Sequence, residues 1–160
     1  MTTKNIIYVC IGLVLSGAAG VMIARGQPEE NIETAPSSPV PADRALETIE
    51  VRPGLKLELA ASEPLVINPI AMSFDQDGRL FVVEMLDYPN RELGDGRIRL
   101  LEDTDNDGKY DRATVYADGM SWPSGLHCYA GGLFVAATPD LLYLRDVDGD
   151  NRADIREVVF

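Results

Sequence analysis

The sequence predicts an all-β fold, and three observations carry that reading. An acidic loop of one design occurs twice, starting at Asp103 and at Asp146, 43 residues apart. The apolar stretch Gly78-Arg-Leu-Phe-Val-Val-Glu84 recurs as Gly131-Gly-Leu-Phe-Val-Ala-Ala137, 53 residues on. Both repeats lie among short runs of β-branched and aromatic residues with partial period-2 alternation, the pattern of strands. An internal repeat of about this length with four short strands per unit is the size of one β-propeller blade. The expected architecture is therefore a partial β-propeller of two four-stranded blades over residues 50–160, preceded by an N-terminal apolar helix and an extended linker.

The N-terminal segment, residues 1–25, carries Lys4 before an uncharged, mostly apolar run from Ile6 to Ala24, with Arg25 and then Glu29, Glu30 and Glu33 after it. As a helix this run spans about 28 Å, close to the hydrocarbon core of a bilayer. It reads equally as a membrane anchor or as a cleaved signal peptide, since Ile6 to Leu15 has the length of an apolar signal core and Ala18-Ala19-Gly20 supplies small residues. Basic charge before the run and acid after it place the remainder outside the cytoplasm. Export, to the periplasm or cell surface, and a partnership with the membrane through residues 6–24 follow as expectations. Residues 26–49 hold Pro28, Pro36, Pro39, Pro41, Ser37 and Ser38, the composition of an extended, solvated linker.

Leu55-Lys-Leu-Glu-Leu59 alternates perfectly and predicts a half-buried strand outside any local hairpin. The first blade then runs through an entry strand from Ile70 to Asp75, an Asp-Gly turn, an apolar strand from Leu80 to Met85, and two strands flanking the first acidic loop. The second blade repeats that order from the apolar strand after Gly131 to Phe160, with Thr138-Pro-Asp140 in place of the longer Leu86-to-Gly96 connection. Two blades do not close a ring of the usual four to eight. A fragment or leading part of a longer protein, inactive and aggregation-prone by itself, is the corresponding expectation.

The acidic loops point to a hard cation. Asp103, Asp105, Asp107 and Asp111 stand at loop positions 1, 3, 5 and 9, and so do Asp146, Asp148, Asp150 and Asp154. Position 7, Lys109 or Arg152, adds a backbone carbonyl, as in other oxygen-ligated loops. Position 6 is Gly108 or Asn151, residues that tolerate a left-handed backbone. Four carboxylates within nine residues repel one another at neutral pH, and Ca²⁺, which takes six to eight oxygens, relieves that repulsion. An EF-hand is disfavoured: position 12 is Thr114 in the first loop, and the flanks read as strands. The competing reading is a plain acidic turn in which Asp and Gly serve geometry alone.

The formal net charge of −12 excludes nucleic acid as a partner, because phosphates demand a basic face. Eight of the acidic residues sit in the two loops, so part of the acidity is ligand supply. Cys10 and Cys128 form no Cys-x-x-Cys site, and His127 is the single histidine, which removes a His-rich zinc centre.

From Pro53 onward the chain resembles the N-terminal propeller of bacterial membrane-bound dehydrogenase proteins, best known from planctomycetes. The residues that carry the resemblance are Gly54-Leu-Lys-Leu-Glu-Leu-Ala-Ala-Ser-Glu-Pro64, Phe74-Asp-Gln-Asp-Gly-Arg-Leu-Phe-Val-Val-Glu-Met85, Asp87-Tyr-Pro89, Gly96 to Gly108, and Pro139-Asp140 with the second loop. More distantly the pattern is similar to glucose/sorbosone dehydrogenase propellers. The resemblance implies oxidation of sugars or related alcohols, pyrroloquinoline quinone as cofactor, and a haem electron acceptor outside this chain. It also makes His127, in Trp122-Pro-Ser-Gly-Leu-His-Cys-Tyr129, the candidate general base, against a purely structural histidine. Trp122, Asp87-Tyr88-Pro89 and the alternating Arg97 and Arg99 read as blade packing, a turn and a solvated face. The rival function is a non-catalytic propeller, with the same calcium loops as scaffold, that binds a glycan or protein.

Overall fold

A computed structural model describes residues 6–8, 39–86 and 94–160. Most of the expected apolar helix, most of the linker, and the Asp87-Tyr88-Pro89 turn lie outside the described residues. Of the apolar run, Ile6–Tyr8 is described as a short strand (β1), in parallel register with β2, Lys56–Glu58. Among the described residues no helix is long and apolar enough to cross a membrane.

The end of the linker is more ordered than its proline content suggests. Ala42–Ala45 makes one helical turn (α1), followed by a 3-10 turn over Leu46–Thr48. Pro41 precedes it in an extended conformation, and the good helix formers Ala42, Arg44 and Ala45 follow. Ala45 is buried, and the Thr48 hydroxyl donates to the Ala45 carbonyl at 2.7 Å, closing the turn.

The remainder is two four-stranded antiparallel sheets, each a meander. The first contains β3 (Pro69–Phe74), β4 (Leu80–Glu84), β5 (Gly96–Glu102) and β6 (Arg112–Met120), hydrogen-bonded in that order. The second contains β7 (Pro123–Tyr129), β8 (Gly132–Ala137), β9 (Asp140–Arg145) and β10 (Ile155–Val158), again in chain order. The all-β reading and the two-unit, four-strand repeat are therefore what the chain builds, and β3 and β7 lie against each other as the inner strands of neighbouring blades.

Burial explains why the apolar repeat became the second strand of each sheet. All five residues of β4 are buried, because its two faces pack on different partners. Phe81 and Val83, with Ile98 and Leu100 from β5, face the second sheet and meet Leu133, Val135, Leu142 and Leu144. Leu80 and Val82, with Leu101, face the other way, toward Ala60, Ala61, Val66 and Tyr110. A strand buried on both faces needs a continuous apolar run instead of alternation.

The segment around Ala60 does more than cover a face. At position 8 of the first acidic loop, the Tyr110 N–H donates to the Ala60 carbonyl at 2.9 Å. At the same position of the second loop, the Ala153 N–H donates to the Tyr116 carbonyl of β6 at 2.8 Å. Ala60 thus holds, against the first blade, the place that the outer strand β6 holds against the second. This explains why β2, exposed at Lys56 and partly buried after it, belongs to no local hairpin.

Candidate functional site: two acidic loops and the cleft between the blades

Each acidic loop joins the third and fourth strands of its sheet, β5 to β6 and β9 to β10. Strands on both sides remove the EF-hand arrangement. Four carboxylate-to-backbone hydrogen bonds repeat between the two loops, while position 1 takes one further N–H that differs, from Asp107 in the first and Gly149 in the second. The position-1 carboxylate accepts the N–H of position 6, Gly108 on Asp103 and Asn151 on Asp146, both at 2.9 Å. The position-3 carboxylate accepts from position 5, Asp107 N–H on Asp105 at 3.2 Å and Asp150 N–H on Asp148 at 3.1 Å. Position 5 accepts from position 7, Lys109 on Asp107 and Arg152 on Asp150, both at 2.8 Å. Position 9 accepts from position 2, Thr104 on Asp111 at 3.2 Å and Val147 on Asp154 at 2.8 Å.

That lattice requires left-handed backbone at two positions of each loop. They are Asn106 (φ 60°) and Gly108 (φ 90°) in the first, and Gly149 (φ 84°) and Asn151 (φ 69°) in the second. Position 6 was legible as a Gly or Asn position in the sequence; position 4 follows the same chemistry with the two residue types exchanged.

Carboxylate oxygens of Asp103, Asp105 and Asp107 lie within 4.8 Å of one another, as do those of Asp146, Asp148 and Asp154. Two oxygens bound to one Ca²⁺ at about 2.3–2.6 Å cannot be more than roughly 5 Å apart. Both clusters therefore fit a shared hard cation, and their all-oxygen donor sets suit Ca²⁺ over softer metals. Asp111 and Asp150 stand outside these three-residue groups. The Thr104 hydroxyl donates to Asp111 at 2.7 Å and holds its carboxyl below the ordinary value. Lys109 and Arg152 enter the loops' hydrogen bonding through their N–H groups.

The second loop is also a clasp between blades, which the sequence did not announce. The Asn151 side chain accepts from Arg79 Nη1 at 3.2 Å and donates to Glu102 at 3.3 Å, both residues of the first blade. The Asp146 N–H donates to the Tyr116 hydroxyl at 2.9 Å. Tyr116 is 5 % exposed, packed edge-on against Phe81 at 5.0 Å, and burial pushes its pKa up to about 12. The neutral phenol is therefore favoured by folding. Stability from this group is complete below pH 10, its ordinary value, and is lost as pH rises through about 12. We expect unfolding by urea to become easier between those limits by on the order of 2 kcal/mol. Tyr116→Phe, less stable at neutral pH by about 1 kcal/mol, should lack that alkaline loss. An identical alkaline slope in both proteins would refute the assignment.

His127 lies in the middle of β7, opposite Phe134 in the ladder, with an exposed side chain. Among the described residues no hydrogen bond orients its imidazole, so no acid–base pair is assembled around it. Cys128, next to it, is half-buried; burial raises its thiol pKa, which makes it a poor nucleophile at neutral pH. Trp122 is exposed with φ 46° at the corner between β6 and β7.

Arg97 and Arg99 do not form the solvated face that their alternation suggested. Both side chains are largely buried and turn toward Glu84, the fully buried last residue of β4. Arg97 Nε hydrogen-bonds Glu84, and Arg99 Nε lies 3.9 Å from it. Arg99 also donates to the Leu65 carbonyl at 3.1 and 3.3 Å, and the Ile67 N–H donates to Glu84 at 2.6 Å. The cluster ties the segment leading into β3 onto the sheet. The available signal was an acid closing an apolar run next to Arg at alternate positions of the following strand.

These features define the class: an all-β, propeller-like pair of blades whose third and fourth strands are joined by oxygen-rich loops. Residues 41–160 match the family model described as a domain of unknown function, DUF7133, and the chain belongs to that family. No curated protein matches it. No solved structure matches it either.

Proposed function

We propose that this chain is part of an exported, Ca²⁺-stabilised β-propeller oxidoreductase acting on sugars or similar alcohols. The observation that carries the calcium half is the pair of three-carboxylate clusters, each within 4.8 Å, held in loops that share four carboxylate-to-backbone hydrogen bonds. Asp103, Asp105 and Asp107 would hold one ion, and Asp146, Asp148 and Asp154 the other. The ion's role is structural, binding the native state and adding its binding free energy to folding. The redox half is supported by the resemblance of residues 54–108 to membrane-bound dehydrogenases. In that reading the N-terminal segment tethers the protein to the membrane, pyrroloquinoline quinone accepts the electrons, and a haem protein takes them onward.

A second reading is favoured by the bare setting of His127: a non-catalytic propeller with the same loops as scaffold, binding a glycan or protein. Dye-linked dehydrogenase activity over a panel of sugars and alcohols, with and without added quinone, separates the two. Turnover that needs quinone and is lost in His127→Ala supports the enzyme. Absence of turnover over the whole panel supports the binding protein. The calcium half is read independently by calorimetric titration, where the double variant Asp105→Ala/Asp107→Ala should lose one of two binding events.

A further inference from the structure

The face of the first blade that looks away from the second is covered over only part of its width. Leu80 and Val82 of β4 are sealed by Ala60, Ala61 and Val66. Met72 of β3, directly opposite Val82 in the ladder, is 39 % exposed, and Ile70, on the same face by alternation, is 44 % exposed. The second blade shows what covers such a row. Leu126 stands opposite Val135 as Met72 stands opposite Val82, yet it is half-buried, because β3 lies against β7. The first blade thus has an outer cover, the Ala60 segment, and an open inner row.

β2 supplies the complementary observation. The Ala60 carbonyl receives the Tyr110 N–H as the Tyr116 carbonyl of β6 receives the Ala153 N–H. Counting back from those carbonyls puts Lys56–Glu58 where β6 has Arg112–Thr114, the residues that pair with the third strand β5. Leu55, Leu57 and Leu59 place half-buried leucines on one face of this stretch. Among the described residues its strand neighbour is β1, which runs parallel, whereas the third and fourth strands of both blades are antiparallel. A strand has two edges, and β1 takes one of them.

We infer that β2 and the open row of β3 form a docking surface for a three-stranded antiparallel sheet that has no outer strand of its own, carried by the same polypeptide outside residues 1–160. Its third strand pairs with β2, which serves as its fourth. Its first strand lies along β3, as β3 lies along β7, and brings apolar side chains onto Ile70 and Met72. A second copy of residues 1–160 is not that partner, because both of its sheets already hold an outer strand, β6 or β10, at the place β2 would take. A separate protein is disfavoured too: a sheet waiting for its outer strand exposes an open edge and apolar faces, which soluble proteins avoid. The argument uses neither the metal ions nor the redox reading, so it stands or falls apart from both.

The test is amide hydrogen exchange on the complete natural polypeptide, with and without residues 1–38. The amides of Leu57 and Glu58 should exchange within about ten-fold of those of Ala113 and Thr114, their counterparts in β6. That protection should survive removal of residues 1–38, which takes β1 away. Met72→Glu should speed exchange in β2 at least about ten-fold and lower the thermal midpoint by several degrees, while Met72→Leu should do neither. Exchange of β2 at the rate of unpaired chain would overturn the proposal, as would protection lost with residues 1–38 or found only in a dimer. So would indifference to Met72→Glu, or a natural polypeptide with no strands beyond those of residues 1–160.

Discussion

Calcium at a hundred times its dissociation constant should raise the thermal midpoint of this chain by about 10 °C for each loop occupied. The figure follows from mass action: a ligand of the folded state at that excess adds about 2.7 kcal/mol. In a domain of roughly this size each kcal/mol moves the midpoint by a few degrees. The effect should be large because the loops start from a poor position. The clusters bring three carboxylates within 4.8 Å, and Asp105, Asp107, Asp148 and Asp154 are exposed. Backbone N–H groups answer part of that charge, but a divalent ion answers most of it. Asp103→Ala should cost more than the loss of one ligand, since Asp103 also accepts the Gly108 and Asp107 N–H groups and so shapes the turn. Asp146→Ala should additionally loosen the blade interface, because Asp146 orients Asn151 against Arg79 and Glu102. Thermal melts in millimolar calcium and in chelator check this directly. Superimposable curves would remove the metal from the account and leave two acidic turns.

Truncating Glu84 should destabilise the protein by about 3–5 kcal/mol, the cost of leaving buried charge without its partner. Glu84 is fully buried, and both Arg97 and Arg99 are turned toward it from the neighbouring strand. Glu84→Ala would leave two largely buried guanidinium groups facing an apolar cavity and would free the Ile67 N–H. Glu84→Gln keeps an acceptor for Ile67 but not the charge, so most of the loss should remain. Replacing all three residues together with apolar side chains of similar volume should recover much of the stability, as it does for other buried ion clusters. Urea midpoints of the three variants decide the matter. A loss below about 1 kcal/mol in Glu84→Ala would place the carboxylate in water.

The Glu84 cluster also shows where sequence reasoning stopped. In the repeat, Glu84 corresponds to Ala137, a small residue at the interface between blades. Nothing in the linear pattern distinguishes an acid that ends a strand at the surface from one sealed beneath the segment before β3. Arg97 and Arg99 alternate as a solvated pair would, and only the position of Leu65 and Ile67 over that face turns them inward. Asn151 is a similar case. The loop pattern asks of position 6 only that it tolerate a left-handed backbone, yet the Asn151 side chain also bridges Arg79 and Glu102, which lie 72 and 49 residues away.

By itself the sequence determined the strands, their order, the apolar second strand of each blade and the loops rich in carboxylates. All of these depend on local spacing: period-2 alternation, Gly or Asn where the backbone turns left-handed, and charge repeated at fixed loop positions. Only the tertiary structure decided that the Ala60 segment stands in for an outer strand, that the second loop clasps its neighbour, and that Glu84 is buried between arginines. Each of those depends on which distant segment covers a given face, and burial is a property of the covering chain as much as of the residue covered.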